Sequence, residues 1–208
     1  MMMTLKQAEE ALAKLINDEE YKKLSTEAKQ QKIFDIAKEL STDTAGSKTV
    51  LFSGRLYGRT IKTGDDIAEK IANNISDVRI INKTDVGQFL GSIEFNNAIY
   101  ATIDNYDAYK AGNLSPEDVK IVESKVNLIR AQLVDPTDGP WAEASKRFVA
   151  SAKGEVILII GDGRAGREAS VFSHTEFPEL VKNSDITKIK NIEKDKFLNL
   201  TSIKSATI

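Results

Sequence analysis

A short apolar run in the second half of the chain constrains the fold most strongly. Residues 155–160 read Glu-Val-Ile-Leu-Ile-Ile, which has the length of a strand and is rich in β-branched side chains. Gly154 precedes the run as a natural helix stop, and the flexible turn Gly161-Asp-Gly163 follows it. A continuous apolar run of this kind is typical of a buried strand in a parallel sheet. The chain is therefore predicted to be an α/β protein, with a small, largely parallel sheet flanked by helices.

Length, charge and residue content narrow the classes of function. The chain has 208 residues, enough to bury a core in one domain or in one and a half. Its net charge is −2 with both signs interspersed, so we expect no nucleic-acid-binding surface. It contains no cysteine, which excludes disulfides and thiol catalysis, and its single histidine cannot form a His-rich metal centre.

We also expect the protein to work away from membranes. None of its apolar runs reaches the length of a membrane-spanning helix, and residues 1–10 do not read as a signal peptide. The predicted localisation is therefore a cytosol, reached directly or after delivery into a target cell.

Two helical patterns open the chain. In residues 4–17, leucine and alanine side chains recur at helical spacing behind a threonine that suits an N-cap. A second helix is expected to begin at Ser25, and residues 41–47 then form a small polar linker. We therefore predict an N-terminal helical hairpin, residues 1–45, followed by a larger α/β domain, residues 46–208.

Residues suited to phosphate follow the first expected strand, residues 49–52. Phe52 is followed by Ser53, a glycine and Arg55. A glycine lets the backbone approach a phosphate closely, and the guanidinium offers a forked pair of donors. An ordinary surface loop with an exposed arginine is the alternative.

Candidate site residues flank the apolar run. Before it, Trp141 and Ser145 are about one helical turn apart and therefore lie on one face. After it, Glu176 stands among apolar and small residues, in a segment that we expect to be a loop. A helix, a buried strand and an acid-bearing loop would form a cleft with one carboxylate at its floor.

Three glycines suggest an alternative. Gly161, Gly163 and Gly166 follow the expected strand and match the G-x-G-x-x-G pattern of a Rossmann dinucleotide site. Such a site also needs a helix after the third glycine, then a second strand ending in an acid, here Glu193. That helix would have to continue into Pro178 through a segment without an apolar stripe. Because the glycine pattern is present but the expected helix is not indicated, a Rossmann-type dinucleotide-binding protein is kept as an alternative.

A longer constellation points to a family. The spacing Trp141-x-x-x-Ser145-x-x-Phe148, then a strand, then Phe172-x-x-x-Glu176 resembles the ADP-ribosyl cyclase/NAD⁺ glycohydrolase family. This family includes vertebrate ectoenzymes and bacterial toxin domains. The resemblance implies that Trp141 stacks on nicotinamide and that Glu176 is catalytic. It also implies that Ser145 and the residues before the acid, Phe172 among them, hold the diphosphate, in an ADP-ribosyl cyclase-like catalytic domain.

Two further segments agree with this family. Phe52, Ser53 and Arg55 resemble its aromatic-Ser-x-Arg phosphate loop, with phenylalanine for the usual indole and one inserted glycine. Asn82 and Thr84 resemble its Glu-x-Thr-x-x-Gly segment, which puts Asn82 where a second acid is usual. The ectoenzymes are rich in disulfides and this chain has no cysteine, so the kinship implied is with the bacterial branch.

The expected reaction follows from this chemistry. Cleavage of the nicotinamide–ribose bond builds positive charge on the ribose, which a buried carboxylate at Glu176 would stabilise or capture. We therefore predict an NAD⁺ glycohydrolase or ADP-ribosyl cyclase, with NAD⁺ as substrate and neither metal nor cofactor. Because such an enzyme would harm its maker, we expect a delivered toxin or effector, with an inhibitory immunity protein as partner. In the remaining alternative, a non-enzymatic interaction protein, Trp141, Ser145 and Glu176 would not converge.

Overall fold

The computed structural model describes residues 2–52, 70–160 and 171–193. In chain order, the described elements are α1 (Leu5–Ile16), α2 (Glu19–Lys22), α3 (Thr26–Lys38), β1 (Lys48–Phe52), α4 (residues 70–74), β2 (Val78–Arg79), a 3₁₀ turn (Ile81–Lys83), α5 (Asp85–Gly91), α6 (Ile93–Tyr100), α7 (Tyr106–Lys110), α8 (Pro116–Leu133), α9 (Pro140–Ala150), β3 (Gly154–Ile160), a π-helical turn (Phe172–Glu176), α10 (Phe177–Lys182) and β4 (Ile186–Glu193).

The chain forms two compact units, and each is discontinuous in sequence. The first comprises Met1–Ser41 and Asp85–Ala144, and the second comprises Thr42–Thr84 and Ser145–Ile208. The hairpin predicted at residues 1–45 is thus grouped almost entirely with helices from the middle of the chain. Local sequence patterns do not show such a grouping, because it depends on packing between distant segments.

The first unit is built from helices whose ends are capped as the sequence indicates. Thr4 forms a capping box at the start of α1, and Ser25 and Ser115 cap α3 and α8. In the core, the ring centres of Phe89 and Phe95 are 5.3 Å apart. The predicted N-terminal helices are confirmed.

Within the described ranges, no helix is both long enough and apolar enough to cross a membrane.

The second unit contains a parallel sheet. The described strands lie in the order β2-β1-β3-β4, and each neighbouring pair is parallel. The apolar run that dominates the sequence is β3, which lies between β1 and β4. On one face of the sheet, Val50, Ile157 and Ile159 pack against Ile71 of α4 in a buried cluster. The prediction of an α/β protein with a small parallel sheet is confirmed.

The carboxyl ends of β1 and β3 are neighbours, because Phe52 pairs in register with Ile159. From β1 the chain continues to β2 on one side, whereas from β3 it continues to β4 on the other. Ligands of open parallel sheets bind where the strand order diverges in this way. Ser53 and Arg55 of the predicted phosphate loop follow β1 in sequence, and the glycine pattern follows β3, but these residues lie outside the described ones.

The end of α9 packs on the face of the sheet opposite α4. Val78 belongs to the cluster around α4, so the next side chain, Arg79, points to the other face. There Arg79 donates to the carbonyl oxygen of Ser151 at 3.1 Å and to its hydroxyl at 2.9 Å. Its guanidinium also lies 5.2 Å from the centre of the Phe148 ring. These contacts fix α9 to β2.

A single amide joins the ends of α9 and α10. Asn183 Nδ2 donates to the carbonyl oxygens of Val149 and Ala152, each at 2.9 Å. These carbonyls belong to the last turn of α9 and the segment that follows it, where intrahelical partners run out. The two segments that carry Ser145 and Glu176 are thereby held together.

Two glycines next to the sheet allow a test of how closely the chain before β1 approaches the backbone of β2. Gly154 opens β3 with a φ of +70°, and a Cβ there would meet nothing within 4 Å. Gly46 precedes β1 with a φ of +127°, and a Cβ there would lie 2.5 Å from the carbonyl carbon of Val78. We expect Gly154→Ala to cost about 1 kcal/mol of unfolding free energy. Gly46→Ala should cost about 3 kcal/mol, because the backbone of β2 must also move. Urea denaturation of both variants measures the difference, and equal losses would contradict the close approach of Gly46 to β2.

Candidate active site

A buried acid and a buried hydroxyl meet in the second unit. Glu176 is only 8% exposed and Ser145 only 4%. The Ser145 hydroxyl donates a hydrogen bond to the Glu176 carboxyl group. The structure therefore brings together two residues that were singled out separately in the sequence.

Ser145 is buried because it belongs to the inner face of α9. Phe148 and Val149, three and four residues further on, share that face and are fully buried. A hydroxyl in this position needs a partner, since an unpaired buried polar group is unfavourable. Glu176 is that partner.

The segment that carries Glu176 is helical, so the prediction of a loop there is wrong. Phe172–Glu176 form a π-helical turn that continues directly into α10. Thr175, Glu176 and Leu180 point inward, whereas His174 and Phe177 are exposed. A π turn does not have the period of an α-helix, so its residues show no α-helical apolar stripe.

The environment of Glu176 opposes its ionisation. Burial raises the pKa of Glu176 from its usual value of 4.5 to about 7. The hydrogen bond from Ser145 lowers this pKa, because it stabilises the charged form, but the effect of burial is larger. A carboxyl group that titrates near neutral pH is characteristic of sites that move protons or stabilise charge.

Three other predicted site residues lie on described elements. Trp141 is half-buried on α9, four residues before Ser145, in the part of that helix assigned to the first unit. Phe172 is half-buried at the start of the π turn. Phe52 ends β1, where it packs against the cluster around α4. Their roles in binding stay predictions.

The remaining predicted residues follow β1 and β2. Asn82 is half-buried in the 3₁₀ turn after β2. Thr84 is buried, and its hydroxyl donates to the carbonyl oxygen of Ile81 at 2.6 Å, which closes that turn. Ser53 and Arg55 lie outside the described residues.

Sequence reasoning missed two residues beside the acid. Thr175 is buried next to Glu176 on the same turn. The Phe177 ring lies 6.1 Å from the Phe172 ring, centre to centre, although half of Phe177 is exposed. Only recognition of the π turn would have placed these two side chains.

Within the parts of the chain that the structure describes, no group of three or more His, Cys, Asp and Glu side chains is arranged to hold a metal ion.

We find no significant match to the chain among protein-family models, curated proteins or solved structures. The family resemblance therefore stays a prediction that rests on the residues quoted above.

The raised pKa of Glu176 makes a prediction about stability. In the folded protein this carboxyl group keeps its proton up to about pH 7, whereas in the unfolded chain the group loses its proton near its usual pKa of 4.5. The contribution of this carboxyl group to the free energy of unfolding is therefore fully present below about pH 4.5, and it falls as the pH rises to about 7. The loss amounts to about 3 kcal/mol. Glu176→Gln cannot ionise, so we expect its stability relative to wild type to rise by up to this amount between about pH 5 and pH 8.

Urea denaturation across this pH range measures the effect. Glu123→Gln is the matched control, because Glu123 is exposed on α8 and its carboxyl group stays in water. The Glu123 variant should track wild type at every pH. If the Glu176→Gln and wild-type proteins differ by a constant amount across the range, the acid does not titrate as described.

Proposed function

We propose that the protein cleaves the nicotinamide–ribose bond of NAD⁺ and releases nicotinamide and ADP-ribose, with a minor fraction of cyclic ADP-ribose. The observation that carries this proposal is the hydrogen bond between Ser145 and the buried Glu176. These are the two residues to which the resemblance assigns diphosphate binding and catalysis. Their pairing supports the proposal independently of the sequence spacing, since they lie on separate elements.

The carboxylate would act on the charge that develops during cleavage. As nicotinamide leaves, the ribose becomes oxocarbenium-like, and a nearby carboxylate stabilises it by electrostatic attraction or by covalent capture. In a buried site this attraction is much stronger than in water. The ionised form of Glu176 is therefore the active form.

Ser145 has only one proton to donate. In the described structure that proton goes to the Glu176 carboxyl group, which orients it. Donation to a diphosphate, as the resemblance implies, would require the hydroxyl to turn away from Glu176. Ser145 is therefore proposed to orient the acid in the free protein.

The other roles are proposed from the resemblance. Trp141 would stack on the nicotinamide, and Asn82, as a neutral replacement of an acid, would favour hydrolysis over cyclisation. The remaining residues, Phe52, Ser53, Arg55, Thr84 and Phe172, would contact the rest of NAD⁺.

The pH dependence of cleavage tests the role of the ionised acid. We expect kcat/KM to rise with pH, with a half-maximum near pH 7, and to level off above it, because the free enzyme must lose the Glu176 proton. The midpoint for kcat should lie lower, since the cationic nicotinamide ring favours the carboxylate in the complex. Initial rates between about pH 5.5 and pH 9 measure both profiles. A kcat/KM that falls through this range would mean that the protonated acid is the active form.

Removal of the charge tests the assignment directly. Glu176→Gln keeps the shape of the side chain, so NAD⁺ binding should survive while turnover falls by on the order of 10² to 10³. Chromatography of nicotinamide, ADP-ribose and cyclic ADP-ribose measures the products. Glu179→Gln is the matched control, because Glu179 lies in α10 and pairs with Lys182. Wild-type turnover by a folded Glu176→Gln protein would remove Glu176 from the mechanism.

We also propose that the protein is a toxin or effector that acts in a cytosol and has an inhibitory immunity protein. The support is chemical, since consumption of NAD⁺ harms any cell that makes the active enzyme. Cytosolic expression should deplete NAD⁺ and slow growth, and Glu176→Gln should relieve both effects. Normal NAD⁺ levels and growth with the wild-type protein would count against this role.

A second candidate function is favoured by one observation. The helical segment at residues 171–182 and the parallel strand β4 follow β3, contrary to the expectation that no helix would form there. Gly161, Gly163 and Gly166 lie between β3 and this segment in sequence, and Glu193 ends β4. A Rossmann-type protein would bind intact NAD⁺ without release of nicotinamide, and Gly163→Val would weaken that binding.

A further inference from the structure

Pro178 lies inside a continuous helical stretch. The π turn Phe172–Glu176 passes directly into α10, where Pro178 is the second residue. In an uninterrupted α-helix, residue 178 would donate its N–H to the carbonyl of His174. Proline has no N–H, and its ring clashes with the carbonyl four residues earlier. An α-helical turn across this point is therefore unfavourable.

The π turn avoids this conflict. The N–H of Phe177 donates to the carbonyl oxygen of Phe172, five residues earlier instead of four. Such a turn contains one residue more than an α-helical turn. The wider turn removes the need for a bond between residue 178 and His174.

The extra residue changes which side chains point inward. Thr175 and Glu176, two consecutive polar residues, are both buried together with Leu180. In an α-helix, the positions that share a face with Leu180 are residues 176 and 177, four and three before it. In the observed π turn, Thr175 is buried in place of Phe177. The Phe177 side chain is half exposed and lies beside Phe172.

We propose that Pro178 is a positioning residue. It imposes the π turn, and the π turn directs Thr175 inward, next to the Glu176 side chain that is hydrogen-bonded to Ser145. Thr175 thereby adds a second hydroxyl-bearing side chain beside the acid. The catalytic part of this inference rests on the proposed function, whereas the structural part does not.

Pro178→Ala tests the inference, because alanine restores the N–H and has the highest helix propensity. The native chain has no cysteine, so single cysteines report on burial. In the Thr175→Cys protein, the thiol should react slowly with a disulfide reagent. Adding Pro178→Ala should raise that rate by on the order of tenfold or more, since an α-helical turn would direct residue 175 outward. His174→Cys, at an exposed position, should react rapidly in both backgrounds.

Two controls keep the result interpretable. Pro116→Ala changes a proline in the first turn of α8, where proline is compatible with a helix, and should leave the thiol rate of the Thr175→Cys protein unchanged. Circular dichroism checks folding, and Pro178→Gln, which also restores the N–H, replaces the alanine variant if that variant unfolds. An unchanged thiol rate at position 175 in a folded Pro178 variant overturns the proposal.

A kinetic measurement separates positioning from general stability. If NAD⁺ is cleaved, Pro178→Ala should lower kcat by on the order of tenfold or more and change KM by less than about twofold. A general loss of folded protein would also leave KM unchanged, but the fall in apparent kcat would then equal the fall in the folded fraction measured by circular dichroism. If the thiol rate rises but no variant, wild type included, releases nicotinamide, the positioning role stands and the proposed function fails.

Discussion

The second unit is organised around the unfavourable burial of one carboxyl group. Transfer of an ionised carboxylate from water into a protein interior is costly, and among the residues that the structure describes the hydrogen-bond partner of Glu176 is a neutral hydroxyl, Ser145. A positively charged partner would have removed the conflict and held the acid permanently ionised. The hydroxyl leaves the carboxyl group able to titrate near neutral pH, which suits the proposed role beside a developing positive charge.

The sheet topology brings the two partners together. Connections from β2 to β3 and from β3 to β4 cross the sheet in the same direction, whereas the connection from β1 to β2 crosses in the other. Because crossovers between parallel strands are right-handed, α9 and α10 belong on one face and α4 on the opposite face. The contacts of Arg79 and Asn183 agree with this arrangement. Ser145 and Glu176 can meet because their helices share a face.

Much of this arrangement could be predicted from the sequence, since the signals are local. The apolar run of β3, the starts of α1 and α3, and the parallel sheet all follow from composition and spacing. The loop predicted around Glu176 was wrong, because a π turn lacks the period used to recognise helices. The bond between Ser145 and Glu176 could not be predicted from the residues alone, since it depends on the packing of two separate elements.

The discontinuity of the two units has a consequence for synthesis. A ribosome delivers residues 1–41 long before residues 85–144, with which they form the first unit. The second unit, in turn, needs β4 to complete its described sheet. Because Glu176 precedes β4 in the chain, the nascent protein carries this acid in an incomplete fold until β4 has emerged. Glu176 therefore leaves the ribosome before the strand that completes the described sheet, and the conditions that raise its pKa belong to the finished fold.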